Sequence, residues 1–230
     1  MNLIALESSS HRLSVALWRD GTLSERAAEV ANGGSERLLP WLVELLSDAK
    51  LSLSDLDGVA FGAGPGGFTG LRLSCGLAQG LALGLDLPVL AVATLEALAL
   101  ASGADKVFAC IDARMNEVYG AAYVVHGDAL ETVIAPFCAL PSAVAAPAGT
   151  GWLGCGDGFA RHPELLGEAS GAALLGIRAD LWPTAAAVAR LAAPRLARGE
   201  GVDAGLAVPL YVRDKVALTT AERLARGGLK

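Results

Sequence analysis

Residues Gly62–Gly84 read GAGPGGFTGLRLSCGLAQGLALG, a glycine-rich loop followed by an apolar segment, and they decide the fold. The loop is too rich in glycine and proline for regular structure, and it comes directly after a short apolar run at residues 56–61. The chain then turns at Phe68-Thr69-Gly70 and continues into an apolar segment whose composition is typical of a helix. A glycine loop between a strand and a helix is an arrangement that can bind phosphate, because the amides at a helix N-terminus attract anions. The alternative is a purely structural turn.

Three further glycines lie inside the predicted helix. Gly76, Gly80 and Gly84 recur at every fourth position and therefore share one helix face. A glycine in a helix costs about 1 kcal/mol relative to alanine, so the three cost about 3 kcal/mol together. A closely approaching backbone offsets such a cost, since no side chain intervenes. That backbone belongs either to this chain's own sheet or to another protein, and the spacing leaves both interpretations open.

The composition excludes several classes of protein. The chain has 230 residues, 53% hydrophobic and 18% charged, which excludes a disordered protein and permits two lobes. Its net charge is −6 and it has no cluster of lysine and arginine, so we expect no strong RNA binding by this chain alone. The four cysteines form no CxxC pair and the three histidines no HxxxH or HExxH pair, so no metal site or disulfide framework is predicted.

The termini and the hydropathy pattern indicate a cytoplasmic protein. The first residues, MNLIALESSS, have neither the basic region nor the long apolar region of a signal peptide. The most apolar stretch, residues 81–101, is interrupted by Asp86, Pro88 and Glu96, so no run of about 18 uncharged apolar residues remains. We therefore expect no membrane segment.

The first half of the chain predicts the element order β-β-β-α-β-α-β-α. Its first helix, about Ser35–Lys50, has leucines at helical spacing but an ambiguous start. Either Ser35 caps it, which places Pro40 just past the first turn, or Leu39 caps it, which gives Pro40 the favoured first position. The strands are predicted at residues 3–6, 14–18, 23–30, 56–61 and 87–92, and the later helices at 70–84 and 94–101.

A second unit follows a joint at Ser102–Asp105. Residues 141–150 and 160–180 give weak signals, and only loops and short elements are predicted there. The clear elements are strands at 107–112, 118–125 and 151–156 and a helix at 184–198, with 208–212 as either a last strand or an extended segment. Two mixed units in succession predict a two-lobed α/β protein, with lobes at 1–104 and 105–230 and a C-terminal segment able to pack back on the first lobe.

No catalytic pattern accompanies the glycine loop. The lysine of a GxxxxGK[ST] loop is absent, and no acidic residue at the end of a following strand supports a GxGxxG fingerprint. No serine has a GxSxG context, and no spacing indicates a Ser-His-acid triad. Glu7, at the end of the first strand, could hold a magnesium ion, but a capped loop is the alternative. No catalytic residue is therefore predicted.

A second cluster of polar residues surrounds a predicted turn at Met115–Asn116. Asp112 and Arg114 end one strand, and Glu117 and Tyr119 begin its hairpin partner. This cluster is either a binding site or an internal ion pair that secures the hairpin.

Three segments together resemble the bacterial TsaB (YeaZ) family: GPGGFTGLRLSCGLAQGLALG at 64–84, IDARMNEVY at 111–119 and PLYVR at 209–213. The similarity follows nearly the whole chain in order, from LIALESSS through ALWRDG to PLYVR. The resemblance implies the two-lobed actin/Hsp70-like (ASKHA, ribonuclease H-like) fold with mixed sheets. The residues of the first motif are Gly64, Pro65, Gly66, Gly67, Phe68, Thr69, Gly70 and Arg72, and those of the second are Asp112, Arg114, Glu117 and Tyr119.

The resemblance also implies a function. Members of this family are partner subunits in the threonylcarbamoylation of adenosine 37 in tRNAs that read ANN codons. They are expected to lack catalysis of their own and to form a heterodimer with TsaD, a catalytic paralogue that uses ATP and metal. TsaE joins that assembly and TsaC supplies threonylcarbamoyl-adenylate. We therefore expect no cofactor or metal in this chain and contact with tRNA only through the complex. Whether the free chain forms a homodimer through the same helices is left open by the sequence, although an exposed apolar helix pair would allow it.

By the same resemblance, the pairing surface uses the helices at about Ser35–Lys50 and Gly70–Gly84. Two adjacent helices can supply the roughly 800 Å² per partner that an ordinary interface needs. The residues expected to contribute are Leu38, Leu42, Leu45, Leu73, Gly76, Leu77, Gly80 and Gly84.

Two departures from the family pattern bear on the alternatives. Many relatives have Asp where this chain has Glu7, and a histidine near Gly34, which this chain lacks. Both departures argue against a metal or phosphate role. An independent ATP-dependent kinase or ligase of the same fold remains an alternative. A glycoprotease-type peptidase is another, although the metal-binding pair it would need is missing.

Overall fold

The computed structural model describes residues 1–30 and 34–213, and the strands in these residues form two mixed five-stranded sheets. The predicted order of the first half is confirmed. The first lobe contains β1 (Asn2–Glu7), β2 (Arg12–Arg19), β3 (Thr22–Glu29), α1 (Ser35–Asp48), β4 (Gly58–Gly64), α2 (Phe68–Leu85), β5 (Val89–Ala93) and α3 (Thr94–Ala101). The elements that follow are β6 (Lys106–Arg114), β7 (Glu117–His126), β8 (Ala129–Ala139), β9 (Trp152–Cys155), α4 (Asp157–Arg161), α5 (Pro163–Ser170), β10 (Leu174–Arg178) and α6 (Ala185–Ala197).

The two sheets have the same topology. In the first, the strand order is β3-β2-β1-β4-β5, and in the second it is β8-β7-β6-β9-β10. In each sheet the first strand pairs antiparallel with the second and parallel with the fourth. The prediction of two successive mixed units is therefore confirmed, and the fold is a repeated α/β unit.

The hairpin of β2 and β3 shows how local sequence sets this topology. Asp20 and Gly21, between the paired residues Arg19 and Thr22, both have positive φ, 46° and 90°. Tight hairpin turns that match the twist of the flanking strands need positive φ at both central positions, which Asp-Gly tolerates. The hairpin predicted from this dipeptide is present.

Helices cover both faces of the first sheet. On one face α1 and α2 pack against Ile4 and Leu6, and on the other α3 and α6 pack against Leu3 and Ala5. The alternation of these four residues along β1 reflects the two-residue period of a strand. Helix α6 follows the second sheet in sequence but lies on the first, so the chain returns to the first lobe after residue 180.

The start of α1 differs from both predicted alternatives. The helix begins at Ser35 after Gly34, whose φ of 95° makes it a left-handed cap, and Pro40 lies inside the helix. Neither Ser35 nor Leu39 is the cap. L side chains rarely adopt this φ, and a Cβ on Gly34 would also lie 2.6 Å from the Leu13 side chain, so glycine is favoured there. Pro40 is exposed, and water can therefore reach the carbonyl that a proline leaves unpaired.

Several elements of the second lobe were not predicted. The long strand β8 was missed because it is an edge strand with no fully buried residue, and its pairing with β7 shifts register twice, which breaks the two-residue pattern. Helix α5 and strand β10 occupy the region of weak signals. Residues 208–212 form no strand, although the amide of Leu210 donates to the carbonyl of Ala63 at 2.7 Å.

Candidate functional site

The glycines of the segment Gly62–Gly84 form two groups with opposite surroundings. Those of the loop make room for this chain: a Cβ on Gly66 would lie 2.7 Å from the carbonyl oxygen of Ser9, and one on Gly64 would lie 2.8 Å from that of Leu210. A Cβ on Gly70 would overlap the carbonyl oxygen of Ser8. Backbone cannot move aside easily, so these glycines are required by internal packing.

Hydrogen bonds join the same loop to the end of β1. The amide of Gly67 donates to the carbonyl of Ser9 at 2.7 Å, and the Ser8 hydroxyl donates to the carbonyl of Gly70 at 2.7 Å. The Gly67 amide is thus engaged by the chain itself. This geometry favours the structural interpretation of the glycine loop over a phosphate cradle.

Glu7 lies beneath this joint. Its side chain is fully buried, and one carboxylate oxygen accepts from the Ser9 amide at 2.6 Å. The other oxygen has no hydrogen-bond partner among the described residues, and it occupies the space that a Cβ on Gly62 would need. Burial raises the pKa of the Glu7 carboxyl. The arrangement matches the capped-loop interpretation of Glu7.

The second group of glycines faces away from the molecule. Gly76, Gly80 and Gly84 are all exposed, and a Cβ added to any of them would meet nothing within 4 Å in the described part of the chain. The interpretation in which these glycines pack against this chain's own sheet is therefore wrong. They form an open ridge along α2, which we call the glycine ridge.

Apolar side chains surround the glycine ridge. On α2, Leu83 is 80% exposed, and Leu73 and Leu77 are half-buried. On α1, Leu39 and Val43 are 48% and 59% exposed. Both helices pack on the same face of the first sheet. Large exposed apolar patches are typical of surfaces that bind another molecule. We call this surface the helical face; it consists of Leu39, Pro40, Val43, Leu73, Gly76, Leu77, Gly80, Leu83 and Gly84.

Three residues expected on this surface lie elsewhere. Leu38, Leu42 and Leu45 are at most 1% exposed and belong to the core between α1 and the first sheet. Helix α1 carries two apolar rows. Leu38, Leu42 and Leu45 form the buried row, and Leu39 and Val43 form the exposed row. Spacing shows that both rows exist but not which faces the sheet, so the buried row was assigned to the interface wrongly.

A cleft of about 650 Å³ lies between the lobes. It is bounded by the glycine loop on the first lobe, by the β6–β7 turn on the second, and by the segment that ends the described chain. Gly64, Arg72 and Glu117 do not line it. The motif residues that do are Pro65, Gly66, Gly67, Phe68, Thr69, Gly70, Asp112, Arg114 and Tyr119. The cleft thus brings the two predicted motifs together.

Three charged residues on the second-lobe side of the cleft interact with one another. Arg114 pairs with Asp112 at 3.2 Å, and the Asp112 amide donates to the Asp157 carboxylate at 2.9 Å. Burial raises the pKa of the Asp157 carboxyl. Among residues 1–30 and 34–213, no group of three or more His, Cys, Asp and Glu side chains could hold a metal ion.

Two interactions of the motifs involve the PLYVR segment and were not predicted. Glu117 pairs with Arg213 at 2.6 Å rather than with a residue of its own hairpin. The guanidinium of Arg72 lies 3.8 Å over the ring of Phe68, and its Nε lies 3.5 Å from the hydroxyl of Tyr211. No short-range pattern connects residues about 100 positions apart. The only signal in the sequence was that both segments belong to the family motifs.

Sequence comparison identifies the family. The "tRNA threonylcarbamoyladenosine biosynthesis protein TsaB" of Escherichia coli (strain K12) is 36% identical over 227 residues, which cover 94% of this chain and 96% of that protein. The chain belongs to the TsaB (YeaZ) family. The TsaB protein of Haemophilus influenzae is 44% identical over 123 residues, 52% of each chain. A family model described as "TsaD: tRNA N6-adenosine threonylcarbamoyltransferase" matches residues 28–150 of this TsaB-family chain.

A solved structure confirms the fold. YeaZ from Pseudomonas aeruginosa is 38% identical, with a TM-score of 0.84, over 91% of this chain and 99% of that one. With the repeated topology of the two sheets, this establishes the two-lobed actin/Hsp70-like fold that the resemblance implied. Within the described residues of this TsaB-family chain, every helix is too short or too polar to span a bilayer.

Proposed function

We propose that this chain is an activating subunit that pairs with a TsaD-type enzyme in the synthesis of threonylcarbamoyladenosine, at adenosine 37 of tRNAs that read ANN codons. The established names of its relatives support the pathway, and the match to the TsaD family model supports the partner. The observation that carries the proposal is the helical face, which is apolar, open and built around three glycines.

The geometry of the glycine ridge suits a helix as the occupant. Helices pack at interaxial distances of about 8–10 Å depending on the side chains between them, and glycines at every fourth position give the shortest approach. The TsaD model matches residues 28–150, a range that contains both α1 and α2, so a TsaD-type partner carries equivalents of both helices. If the helix pair of this chain faced the equivalent pair of the partner, the exposed apolar side chains of both proteins would be buried.

In this proposal the chemistry takes place on the partner. The loop glycines of this chain accommodate its own Ser8 and Ser9, and Glu7 supports the same joint; this internal use of the loop supports a nucleotide site on the partner. We place ATP and metal on partner subunits, with TsaE joining the assembly and TsaC supplying threonylcarbamoyl-adenylate. Contact with tRNA would occur through the complex, in the cytoplasm, and the free chain would pair with itself through the helical face.

The Gly80→Leu variant tests the pairing. We expect a folded protein, since the added side chain meets open space, that no longer co-purifies with tagged TsaD and no longer supports tRNA modification. Gly167→Leu is a matched control, because Gly167 lies in α5 and also has no neighbour within 4 Å of an added Cβ. Co-purification of Gly80→Leu at the level of the control would contradict the proposal.

A second function, that of an ATP-dependent kinase or ligase acting alone, is favoured only by the size of the cleft. A volume of about 650 Å³ falls within the range of small-molecule sites. Calorimetric titration of the isolated protein with Mg-ATP distinguishes the two functions. Binding with turnover of a small substrate would support the second, and no heat up to millimolar nucleotide would eliminate it.

A further inference from the structure

The last described residues, 207–213, form an extended segment that we call the strap. Its first part is attached to the first lobe. The carbonyl of Ala207 accepts from the Gln79 side chain on α2 at 2.9 Å, and the amide of Leu210 donates to the carbonyl of Ala63 at the end of β4 at 2.7 Å. From there, residues 210–213 line the cleft between the lobes.

The far end of the strap is anchored on the second lobe. The guanidinium of Arg213 donates to the carboxylate of Glu117 at 2.6 Å and to the carbonyl of Ala113 at 2.9 Å. It also lies 5.7 Å from the centre of the Tyr119 ring, and its side chain is only 14% exposed. We call the site formed by Ala113, Arg114, Glu117 and Tyr119 the socket. The socket binds the side chain of Arg213, which belongs to a segment attached to the first lobe.

The turn beside the socket has an uncommon backbone. Arg114, Met115 and Asn116 have φ values of 61°, 56° and 59°, three successive left-handed residues without a glycine. Such a conformation is unfavourable for side-chain-bearing residues and persists only where surrounding contacts hold it. Arg213 supplies such contacts, since its guanidinium reaches the carbonyls of Ala113 and Arg114, the latter at 3.5 Å.

Within the described residues, the chain passes between the lobes at the joint Ser102–Asp105, at the connection 179–184 that leads from β10 to α6, and along the strap. The lobes also pack together where Leu95 and Leu98 of α3 contact the second sheet. Among the hydrogen bonds of the described residues, the strap reaches the second lobe through the Arg213 side chain alone, so it can detach while the covalent links and the α3 packing stay intact.

We propose that the strap is a clasp that holds the cleft closed, with Arg213 as its latch in the socket. Release of Arg213 lets the left-handed turn relax, frees residues 210–213 from the mouth of the cleft, and allows the cleft to widen while α3 still packs against the second sheet. This device is independent of the helical face, and it assigns one role to the two motifs, IDARMNEVY and PLYVR, that partner binding leaves unexplained.

Arg213→Met tests the clasp in the full chain, because methionine keeps apolar bulk but removes every guanidinium hydrogen bond. We expect amide hydrogen exchange in residues 207–213 and 113–117 to be at least tenfold faster, with a larger radius of gyration in X-ray scattering. The Leu210 amide is the decisive probe, since it bonds to the first lobe and not to the socket. Arg178→Met, which removes an exposed pair with Asp180, is the control and should change none of these values.

Two further measurements keep the proposal falsifiable. Glu117→Gln should accelerate the same amide exchange, but by less than Arg213→Met does. The variant that combines both substitutions should exchange no faster than Arg213→Met alone. In the unaltered protein, the amides of Leu210 and of the socket should open together at one rate, faster than core amides such as that of Val59. Independent opening of the two regions, or unchanged exchange at Leu210 in Arg213→Met, would overturn the clasp even where a variant proved unstable.

Discussion

Two glycines of the segment Gly62–Gly84 have opposite structural roles in this protein. Gly70 lies against the backbone of Ser8, whereas Gly76, only six positions later, faces open space. A sequence presents both as members of the same glycine-rich segment. The difference arises from the tertiary structure, because the end of β1 packs against the loop and nothing in the described chain packs against the ridge.

Alanine substitutions should separate these roles. We expect Gly76→Ala to stabilise the free protein by about 1 kcal/mol, the usual helix propensity difference. Gly70→Ala should destabilise it by about 1–3 kcal/mol, since its Cβ would overlap the Ser8 carbonyl and force the backbone apart. Urea unfolding of both variants provides the comparison, and equal midpoints for the two would refute the assignment of the glycines.

Glu7 predicts a pH dependence of stability. Burial raises the pKa of this carboxyl in the folded state above its ordinary value of 4.5, so the folded protein binds the proton more tightly than the unfolded chain. Its contribution to stability is complete below pH 4.5 and is lost as the pH rises through the folded-state pKa. Glu7→Gln, which is always neutral and can still accept from the Ser9 amide, should be more stable than the unaltered protein at pH 7, by about 1.4 kcal/mol per unit of pKa shift.

The advantage of Glu7→Gln should disappear near pH 4. Glu164→Gln, at an exposed position of α5, is the control and should follow the unaltered protein at both values. Thermal melting across this pH range gives the answer. A Glu7→Gln protein that is less stable than the unaltered one at pH 7 would mean that the carboxylate is favoured in the fold.

Among the elements, α1 shows most clearly what periodicity can and cannot predict. Helical spacing predicted the helix itself, but its two apolar rows were assigned in reverse: Leu42 is 1% exposed and Val43 is 59% exposed. The choice depends on how the helix is rotated against the sheet. Contacts with Ile4 and Leu6 fix that rotation, and they are not visible in the sequence of α1.

Substitutions on the two rows should affect different properties. Val43→Glu should leave the free energy of unfolding within about 0.5 kcal/mol, as exposed substitutions usually do, but weaken binding to TsaD by burying a charge in the contact. Leu42→Ala should lower the free energy of unfolding by about 2–5 kcal/mol. Val133→Glu, at an exposed position on β8 of the other lobe, is the control, and it should bind TsaD normally in a pull-down. If Val43→Glu bound TsaD as well as the control does, α1 would not be part of the interface.

At the scale of the whole molecule, the connection that local sequence could not predict is the return of α6 to the first lobe. The helix was predicted to within one residue at each end, but its location depends on contacts across most of the chain. The amide of Ala185 donates to the Ser14 hydroxyl at 2.7 Å, and that of Ala186 donates to the Glu25 carboxylate at 2.9 Å. Together with the Thr184 side chain, residues of β2 and β3 satisfy the first amides of the helix.

Much of the remaining fold follows from short-range signals: the Asp20-Gly21 hairpin, the strand before the glycine loop and the second mixed unit. The missed features share a different cause. Strand β8 is an edge strand without clean alternation, and the pair of Glu117 with Arg213 spans 96 positions. Long-range contacts and exposed edges leave no periodic trace in the sequence.

Removal of the Ser14 hydroxyl should loosen α6. Ser14 is fully buried, so Ser14→Ala would leave the Ala185 amide without a partner, at a cost of about 1–3 kcal/mol in the free energy of unfolding. Ser24→Ala, at an exposed position on β3, should have little effect. Chemical denaturation of both variants makes the comparison, and identical stabilities would show that the contact contributes nothing to the return of the chain.

The openness of the glycine ridge has a consequence for the amount of this protein that a cell can keep. Leu83 and the glycines around it are exposed to water in the isolated chain. If this surface binds a TsaD-type subunit as proposed, molecules made in excess of that subunit would self-associate through it, and balanced synthesis of the two proteins would become a physical requirement.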